Sequence, residues 1–308
     1  MNLNTKNIIV GSRNSQLAKQ HIKIFERSFK RNIDSSLEIR IKKKFFRTTG
    51  DKFLSTKISE IGNKGLFSKE IDEALINFEV NLGIHSLKDL PTSLPKELKI
   101  AAVLKREDYR EIMISNQNQN IKDLKRNAIV GTSSIRREMQ LRKIRPDLTI
   151  KQIRGNVDSR IKKVKKKKFD AILIAYAGVK RLGIYCYKNI INPKIIVPAL
   201  GQGAIALVVN KKNEFINKLI GKLNHEKTFI ETDCERVFLE ALDGDCKTPV
   251  GGYAVLKKIG DKEKIYFNFI AFSHDGKIMV KDNIYFNLNS YRSESFDLGA
   301  EIKKKISR

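Results

Sequence analysis

The sequence predicts an α/β protein with a smaller α+β domain at its C-terminal end. Over the first two thirds of the chain, short apolar runs rich in Ile and Val alternate with amphipathic helical patterns. From about residue 225 the pattern changes to two apolar runs, 265–272 and 278–280, on either side of Asp275 and Gly276, which suit a hairpin turn. A length of 308 residues also exceeds the usual size of a single core, so we expect two or three domains.

The individual elements follow from these patterns. The strand candidates are residues 8–10, 37–41, 83–85, 100–104, 112–114, 128–130, 150–153, 171–174 and 204–209. Two helical patterns lie between them, formed by Ala18, Ile22, Phe25 and Phe29, and by Phe67, Ile71, Ala74, Leu75 and Phe78. We interpret these apolar side chains as core.

The net charge of +27 predicts attraction to nucleic acid, to an anionic membrane or to an acidic small molecule, without selecting among them. Many of the lysines occur in runs, at 42–44 and 162–168, which we interpret as solvated faces. No helix-turn-helix, zinc or aromatic stacking motif accompanies the charge, which disfavours a nucleic-acid-binding protein.

The cysteines and histidines favour neither a disulfide framework nor a zinc site, because three cysteines include no CxxC pair and four histidines lie far apart. The early apolar run at 8–10 is too short for a signal-peptide core. The most apolar stretch, 195–209, is interrupted by Pro198 and Gln202 and is shorter than the roughly 20 residues of a membrane-spanning helix. We therefore expect a protein of the reducing cytoplasm.

An internal similarity predicts that the first two domains have related folds. Residues 8–17 and 128–141 each contain a short strand, a Gly with Ser or Thr, hydroxyl and Arg residues, and then a helix. Anions bind at such helix N-termini, so we expect two anion-binding lobes that face a cleft. The alternative is that the hydroxyls only cap their helices. They belong to Ser12, Ser15, Thr132 and Ser134.

Arginines recur at strand ends and helix entries, although the composition favours Lys. These positions are Arg13, Arg136, Arg137, Arg154, Arg160 and Arg181. The first three have no obvious acidic neighbour in the sequence. A guanidinium group matches the geometry of carboxylate and phosphate better than an ammonium group does. The ligand is therefore predicted to carry several negative charges.

Two further segments carry reactive groups. Asp89 is the one carboxylate of segment 85–95, a predicted rigid loop at the C-terminal edge of a strand, and it is as well suited to forming a turn as to catalysis. Cys246 lies in a Gly- and Pro-bounded loop, 244–252, where a thiol is expected to be accessible. No His pairs with it at a recognisable spacing, which disfavours a protease-like nucleophile. The thiol could instead serve as a permanent point of covalent attachment for another group.

Eight segments form an ordered series along the chain. They are TTGDK (48–52), NKGLFSKEIDEAL (63–75), HSLKDLPTSLP (85–95), VGTSSIRREMQL (130–141), IRGNVDSRI (153–161), DAILIAYAGVKRLG (170–183), VPALGQGAIAL (197–207) and GDCKTPVGG (244–252). In order and spacing this series resembles the hydroxymethylbilane synthase (porphobilinogen deaminase) family of tetrapyrrole biosynthesis. The resemblance implies two lobes like those of periplasmic binding proteins, each a mixed, mostly parallel sheet with helices on both faces, and a small α+β domain. The implied domains are 1–104 with 199–222, then 105–198, then 223–308.

The resemblance also implies the activity. Such an enzyme deaminates and polymerises four porphobilinogen molecules head to tail into hydroxymethylbilane, on a dipyrromethane cofactor bound covalently to Cys246. It would be a monomeric, cytoplasmic transferase of heme biosynthesis, with porphobilinogen and the growing polypyrrole chain as its ligands and no nucleic-acid or membrane partner. The alternative is a non-enzymatic anion-binding protein, which would have no need for the thiol of Cys246.

The site residues come from positions that match the family motifs. Asp89 is implied as catalytic. The implied cofactor-binding residues are Cys246, Arg13, Ser15, Lys88, Asp89, Thr132, Ser134, Arg136, Arg137, Arg154 and Arg160. The implied substrate-binding residues are Arg13, Phe67, Arg154, Arg160 and Arg181. The sequence departs from the commonest family pattern at Asn63, Asp245, Lys247 and Thr248, but no residue with an implied role is missing.

Overall fold

The computed structural model describes residues 6–52, 65–185, 188–244 and 248–307. The chain divides into two compact units, Met1–Arg106 with Ala204–Ile230, and Glu107–Gly203 with Glu231–Arg308. The second unit therefore contains most of both the second and the third domain expected from the sequence. The division into three domains stays a prediction.

The first unit contains a five-stranded mixed sheet. Its strands, numbered in chain order, are β1 (Lys6–Arg13), β2 (Ile39–Phe46), β3 (Leu82–Ser86), β4 (Leu98–Val103) and β10 (Ile205–Asn210). They lie in the order β2-β1-β3-β10-β4, and β10 alone runs antiparallel to the others. The helices of this unit are α1 (Gln16–Asn32), α2 (Thr49–Lys52), α3 (Lys69–Ile76), α7 (Glu214–Gly221) and the first residues of α8 (Glu226–Ala241).

A separate core lies on each face of this sheet. Alternate β1 residues point to opposite faces, so that Ile8 and Val10 pack with α1 and α7 while Ile9 packs with α3. The predicted α1 face is confirmed, because Ala18, Ile22, Phe25 and Phe29 are all buried. The predicted core position of Phe78 is wrong: α3 ends at Ile76, Phe78 turns into the left-handed region with φ 57°, and its side chain is 53% exposed.

The second unit contains a sheet of the same topology. Its strands are β5 (Glu111–Ser115), β6 (Ile129–Gly131), β7 (Thr149–Lys151), β8 (Ala171–Ala175) and β9 (Asn189–Ile190). They lie in the order β7-β6-β8-β5-β9, with β5 antiparallel to the others. Helices α4 (Ile135–Ile144), α5 (Val157–Lys165) and α6 (Tyr176–Arg181) accompany it. In both sheets, therefore, four strands run in one direction and the strand that lies fourth in the order, β10 or β5, runs in the opposite direction. The first two domains thus have related folds, as the internal similarity predicted.

The C-terminal part of the second unit is an antiparallel sheet with helices. Strands β11 (Val250–Ile259), β12 (Lys262–Phe272) and β13 (Met279–Asn287) pair in sequence order, and α9 (Tyr291–Ile306) packs on β12 and β13. The ring of Phe238 on α8 lies 5.0 Å from that of Phe267 on β12. The predicted hairpin turn is present, with Gly276 at φ 74°. This α+β pattern confirms the predicted change in fold class.

The lysine runs lie mainly on solvated surfaces, as expected. Residues 42–44 are exposed on β2, which is an edge strand of its sheet. Lysines on an exposed edge discourage pairing with another chain. Over the described part of the chain, no helix combines the length and apolar character needed to cross a membrane.

Candidate active site

Arg13 is the last residue of β1, and an aromatic ring supports its guanidinium group. The Cζ atom of Arg13 lies 4.4 Å from the centroid of the Phe67 ring, within the range of a cation–π interaction. The same ring lies over Gly50, where an added Cβ would come within 2.2 Å of a ring carbon. Gly50 is thus required for Phe67 to lie under Arg13. Phe67 precedes α3 and is only half-buried, so its predicted core position is wrong and its ring instead packs on Arg13.

His85 is buried on β3. Burial, and secondarily the charge of Arg13, lower its pKa to about 4. The imidazole is therefore uncharged at neutral pH and does not repel Arg13. Its Nε2 atom has no hydrogen-bond partner among the described residues. The ring covers Gly83, where an added Cβ would lie 2.8 Å from Nε2.

Asp89 lies in a 3₁₀ turn, Leu87–Asp89, immediately after β3. The amide of Leu87 donates to the Ala204 carbonyl at 3.1 Å, and the amide of Leu90 donates to the Leu87 carbonyl at 3.1 Å. Leu87 and Leu90 are buried, which anchors the turn, while Lys88 and Asp89 are half-buried. The turn therefore anchors the backbone of Asp89 at the end of a strand, with the residue partly accessible.

The predicted hydroxyl residues take local backbone contacts. Ser15 Oγ accepts from the Ala18 amide at 3.2 Å, and Ser134 Oγ accepts from the Arg137 amide at 3.5 Å, so both cap helices. Thr132 Oγ1 accepts from the Ser134 amide at 3.2 Å. Ser12 instead donates to the Ile84 carbonyl of the neighbouring strand at 3.1 Å. Ligand contacts of these hydroxyls stay a prediction.

Arg136 and Arg137, on α4, share a buried carboxylate. Glu111 Oε1 accepts from Arg136 Nη2 at 2.7 Å and from Arg137 Nε at 3.0 Å, while Oε2 accepts from Arg137 Nη2 at 2.8 Å. Arg136 also donates to the Val197 carbonyl, and Arg137 Nη1 donates to the Leu173 carbonyl at 3.1 Å. Glu111 is fully buried and lies at the start of β5, 25 and 26 residues before its partners. Glu111 is therefore the acidic partner of Arg136 and Arg137, and it lies too far from them in the sequence to be recognised as a neighbour.

Arg160 lies in the first turns of α5, close to two other arginines. Burial lowers its pKa to about 10, and the charges of Arg137 and Arg154 act in the same direction. Its Nε donates to the Gly155 carbonyl at 2.7 Å, where Gly155 has φ 110°. We call Arg137, Arg154 and Arg160 the arginine cluster. Crowded guanidinium groups of this kind favour the binding of an anion.

Arg181 ends α6 and holds a backbone carbonyl. Its Nη2 donates to the Gly203 carbonyl at 2.6 Å. Burial lowers the pKa of Arg181 to about 10, and Glu107 acts in the opposite direction. Glu107 also pairs with Lys180 at 2.5 Å. Arg181 is thus fixed beside the segment that leads into β10.

Cys246 lies outside the described residues, as do Asn63, Asp245 and Lys247. The thiol belongs to the connection between α8, which ends at Ala241, and β11, which begins at Val250. Cys234 on α8 is buried, and burial raises the pKa of its thiol well above the usual value, which makes it unreactive. The described residues include no group of His, Cys, Asp and Glu that could hold a metal ion.

Comparison with known proteins assigns the family. The profile described as "Porphobilinogen deaminase, dipyromethane cofactor binding domain" matches residues 8–218, and the one described as "Porphobilinogen deaminase, C-terminal domain" matches residues 229–308. The chain belongs to the porphobilinogen deaminase family. Porphobilinogen deaminase of a Nitratiruptor species is 40% identical over 97% of this chain and 93% of its own length. That of Bacillus subtilis (strain 168) is 38% identical over 91% of this chain and 88% of its own length.

Solved structures similar to this chain include extracytoplasmic binding proteins. A TRAP periplasmic solute binding protein from Desulfovibrio salexigens has a TM-score of 0.42 at 10% identity, over 72% of this chain and 73% of that one. A probable amino-acid ABC transporter extracellular-binding protein from Bacillus subtilis has a TM-score of 0.38 at 13% identity, over 71% and 91%. Both TM-scores are below 0.5, so the description of the fold does not rest on either similarity.

Proposed function

We propose that this porphobilinogen deaminase family member joins four porphobilinogen molecules head to tail into hydroxymethylbilane, with release of ammonia. It is a transferase of tetrapyrrole and heme biosynthesis. The family match over nearly the whole chain supports the reaction. The observation within the chain that carries the proposal is the arginine cluster, in which burial, and secondarily the charges of Arg137 and Arg154, lower the pKa of Arg160 to about 10.

The charge of the substrate explains the need for such a cluster. Each porphobilinogen brings an acetate and a propionate, so every condensation adds negative charge that must be paired. A carboxylate bound beside Arg160 would relieve the repulsion from Arg137 and Arg154. We propose that Arg13 and Arg181 bind further carboxylates, with Phe67 fixing the orientation of Arg13.

The same residues fit a dipyrromethane cofactor, whose acetate and propionate groups match guanidinium donors. Arg136 and the arginine cluster would bind these carboxylates, with hydroxyl and ammonium donors in support. The supporting donors would be Ser15, Lys88, Thr132 and Ser134. When bound, the dipyrromethane supplies the free α-carbon to which the first porphobilinogen is joined. We propose that Cys246 holds it by a thioether, a permanent bond that requires no neighbouring histidine.

Asp89 is our proposed catalytic residue. Positive charge develops on a pyrrole nitrogen of porphobilinogen as ammonia leaves, and a carboxylate that accepts the pyrrole N–H stabilises this charge and can take up a proton. The turn between buried Leu87 and Leu90 supports this role, because it anchors the backbone of half-buried Asp89, whose carboxylate forms no ion pair with the described residues. Preorganised charge of this kind costs little reorganisation during the reaction.

Turnover of porphobilinogen tests the proposal. Purified protein is incubated with porphobilinogen, and ammonia and hydroxymethylbilane are measured, the latter by mass spectrometry. We expect turnover by the wild-type protein and by a Cys234→Ser control, and none by Cys246→Ser. Tight binding of pyrrole carboxylates without any product would instead favour the anion-binding protein.

We also propose that the enzyme is a cytoplasmic monomer. The reduced thiol that the cofactor requires supports a reducing compartment. Light scattering on purified protein tests the oligomeric state, and a mass of about twice the 35.3 kDa chain would contradict it.

A further inference from the structure

Glu111 is a buried carboxylate that none of the family motifs above contains. Its side chain is fully buried, at the start of a strand whose other four residues are Ile, Met, Ile and Ser. Removing an ion from water costs several kcal/mol even when it is paired, and apolar residues often replace buried ion pairs without loss of stability. A charged residue at this strand position is therefore expected to serve more than stability.

The geometry connects Glu111 to ligand binding through Arg137. Two parallel hydrogen bonds, at 3.0 and 2.8 Å, join the guanidinium fork to the carboxylate, and a third bond holds Nη1 on the Leu173 carbonyl. These contacts use three of the five N–H donors of Arg137. Within the described structure, the other two N–H groups make no hydrogen bond, and Arg160 is close enough to interact with the same guanidinium.

Glu111 also reduces the positive charge at this place. Its single carboxylate neutralises part of the positive charge of Arg136 and Arg137, so that Arg137 can lie close to Arg160, which also interacts with Arg154. Without this acid, the buried guanidinium groups of Arg136 and Arg137 would have only the Val197 and Leu173 carbonyls as hydrogen-bond partners among the described residues. Arginine does not lose its proton under such conditions. The side chains would instead move apart.

We propose that Glu111 is a positioning residue for the pyrrole carboxylates: it holds Arg137 in one orientation, with two N–H groups available to the ligand, and permits the arginine cluster to assemble. This inference rests on the proposed function, because the ligand carboxylates are those of porphobilinogen and the dipyrromethane. Glu111 itself does not contact the ligand, so its effect is transmitted through Arg137.

A double-mutant cycle between Glu111→Gln and Arg137→Lys tests this transmission. Glutamine keeps the shape of the side chain and removes its charge, while lysine keeps a positive charge and removes the fork. We expect Glu111→Gln alone to lower kcat/KM for porphobilinogen roughly 10- to 100-fold, and to change it less than about 3-fold when Arg137 is already Lys. Equal effects in both backgrounds would overturn the proposal.

Conservative rescue and cofactor content separate positioning from folding. Glu111→Asp keeps the charge and should be more active than Glu111→Gln. If the Gln variant does not fold, the Asp variant takes its place in the double-mutant cycle. Intact mass should show fewer cofactor-bearing molecules in folded Glu111→Gln protein than in wild type. A matched control is Glu235→Gln, which removes another fully buried carboxylate, bound to the Gly201 and Ala254 amides. It should lower the melting temperature and leave the cofactor fraction unchanged.

The outcomes distinguish the two levels of the account. If the wild-type protein makes no hydroxymethylbilane, the proposed function fails. If it does, and Glu111→Gln lowers only the melting temperature, as Glu235→Gln is expected to do, then Glu111 is a structural residue and the positioning role alone is wrong.

Discussion

Replacement of Arg160 by Gln should make the cofactor-free protein more stable while it weakens ligand binding. Burial, and secondarily the charges of Arg137 and Arg154, lower the pKa of Arg160 from 12.5 to about 10. At 1.36 kcal/mol per pKa unit, this lower pKa means that the charged guanidinium group destabilises the folded protein by about 3 kcal/mol at neutral pH. Loss of its hydrogen bond to the Gly155 carbonyl costs about 1 kcal/mol in the variant. With some lost packing, the net gain in the free energy of unfolding should be about 1–2 kcal/mol.

The measurement is urea unfolding in a Cys246→Ser background, at pH 7.5 and without added carboxylate or phosphate. Arg160→Gln should raise the midpoint urea concentration at an unchanged slope. With Cys246 restored, the same substitution should lower the fraction of molecules that carry the cofactor. The control is Arg145→Gln, because Arg145 is paired with Asp147 at 2.7 Å and should only lose stability. If both substitutions lower the midpoint equally, the arginine cluster is not electrostatically strained and the reasoning is refuted.

Three further predictions concern the first unit. Asp89→Ala should abolish elongation and Asp89→Glu should keep partial turnover, measured as porphobilinogen consumed; wild-type rates in the alanine variant would contradict its catalytic role. Burial raises the pKa of Asp72 to about 6, so the folded protein binds the extra proton between pH 3.8 and 6 and loses stability as the pH rises through this range. Asp72→Asn should therefore stabilise by about 2 kcal/mol more at pH 7.5 than at pH 4.5 in urea unfolding, and an effect independent of pH would exclude this cause. Gly50→Ala should displace the Phe67 ring and raise KM for porphobilinogen more than it lowers kcat; an unchanged KM would show that the ring does not position Arg13.

Sequence patterns predicted the central strands well and the C-terminal sheet only in part. Strands such as β8 are short, apolar and buried along nearly their whole length, so their signal is local. The local pattern does not predict β11, because this strand contains Gly251 and Gly252, which are weak strand formers. Tertiary contacts require them: an added Cβ would lie 2.7 Å from the Pro198 carbonyl at Gly251 and 2.7 Å from Leu200 at Gly252. Such contacts between distant segments leave no local pattern.

The site shows the same division. Ser15 and Ser134 could be recognised as helix caps because a cap is formed within a few residues. Glu111 could not be assigned to Arg136 and Arg137, because strand β5 enters the sheet antiparallel between β8 and β9 and only the folded sheet brings it beside α4. A signal was nevertheless present, since an acid within an otherwise apolar, buried strand is uncommon and requires a partner.

Intact-mass measurement tests the central claim most directly. The wild-type protein should exceed its sequence mass by one dipyrromethane. Cys246→Ser should have the mass of its sequence alone, and Cys234→Ser, which changes a buried and unreactive thiol, should keep the addition. An active wild-type protein without added mass, or an addition that persists in Cys246→Ser, would contradict the account.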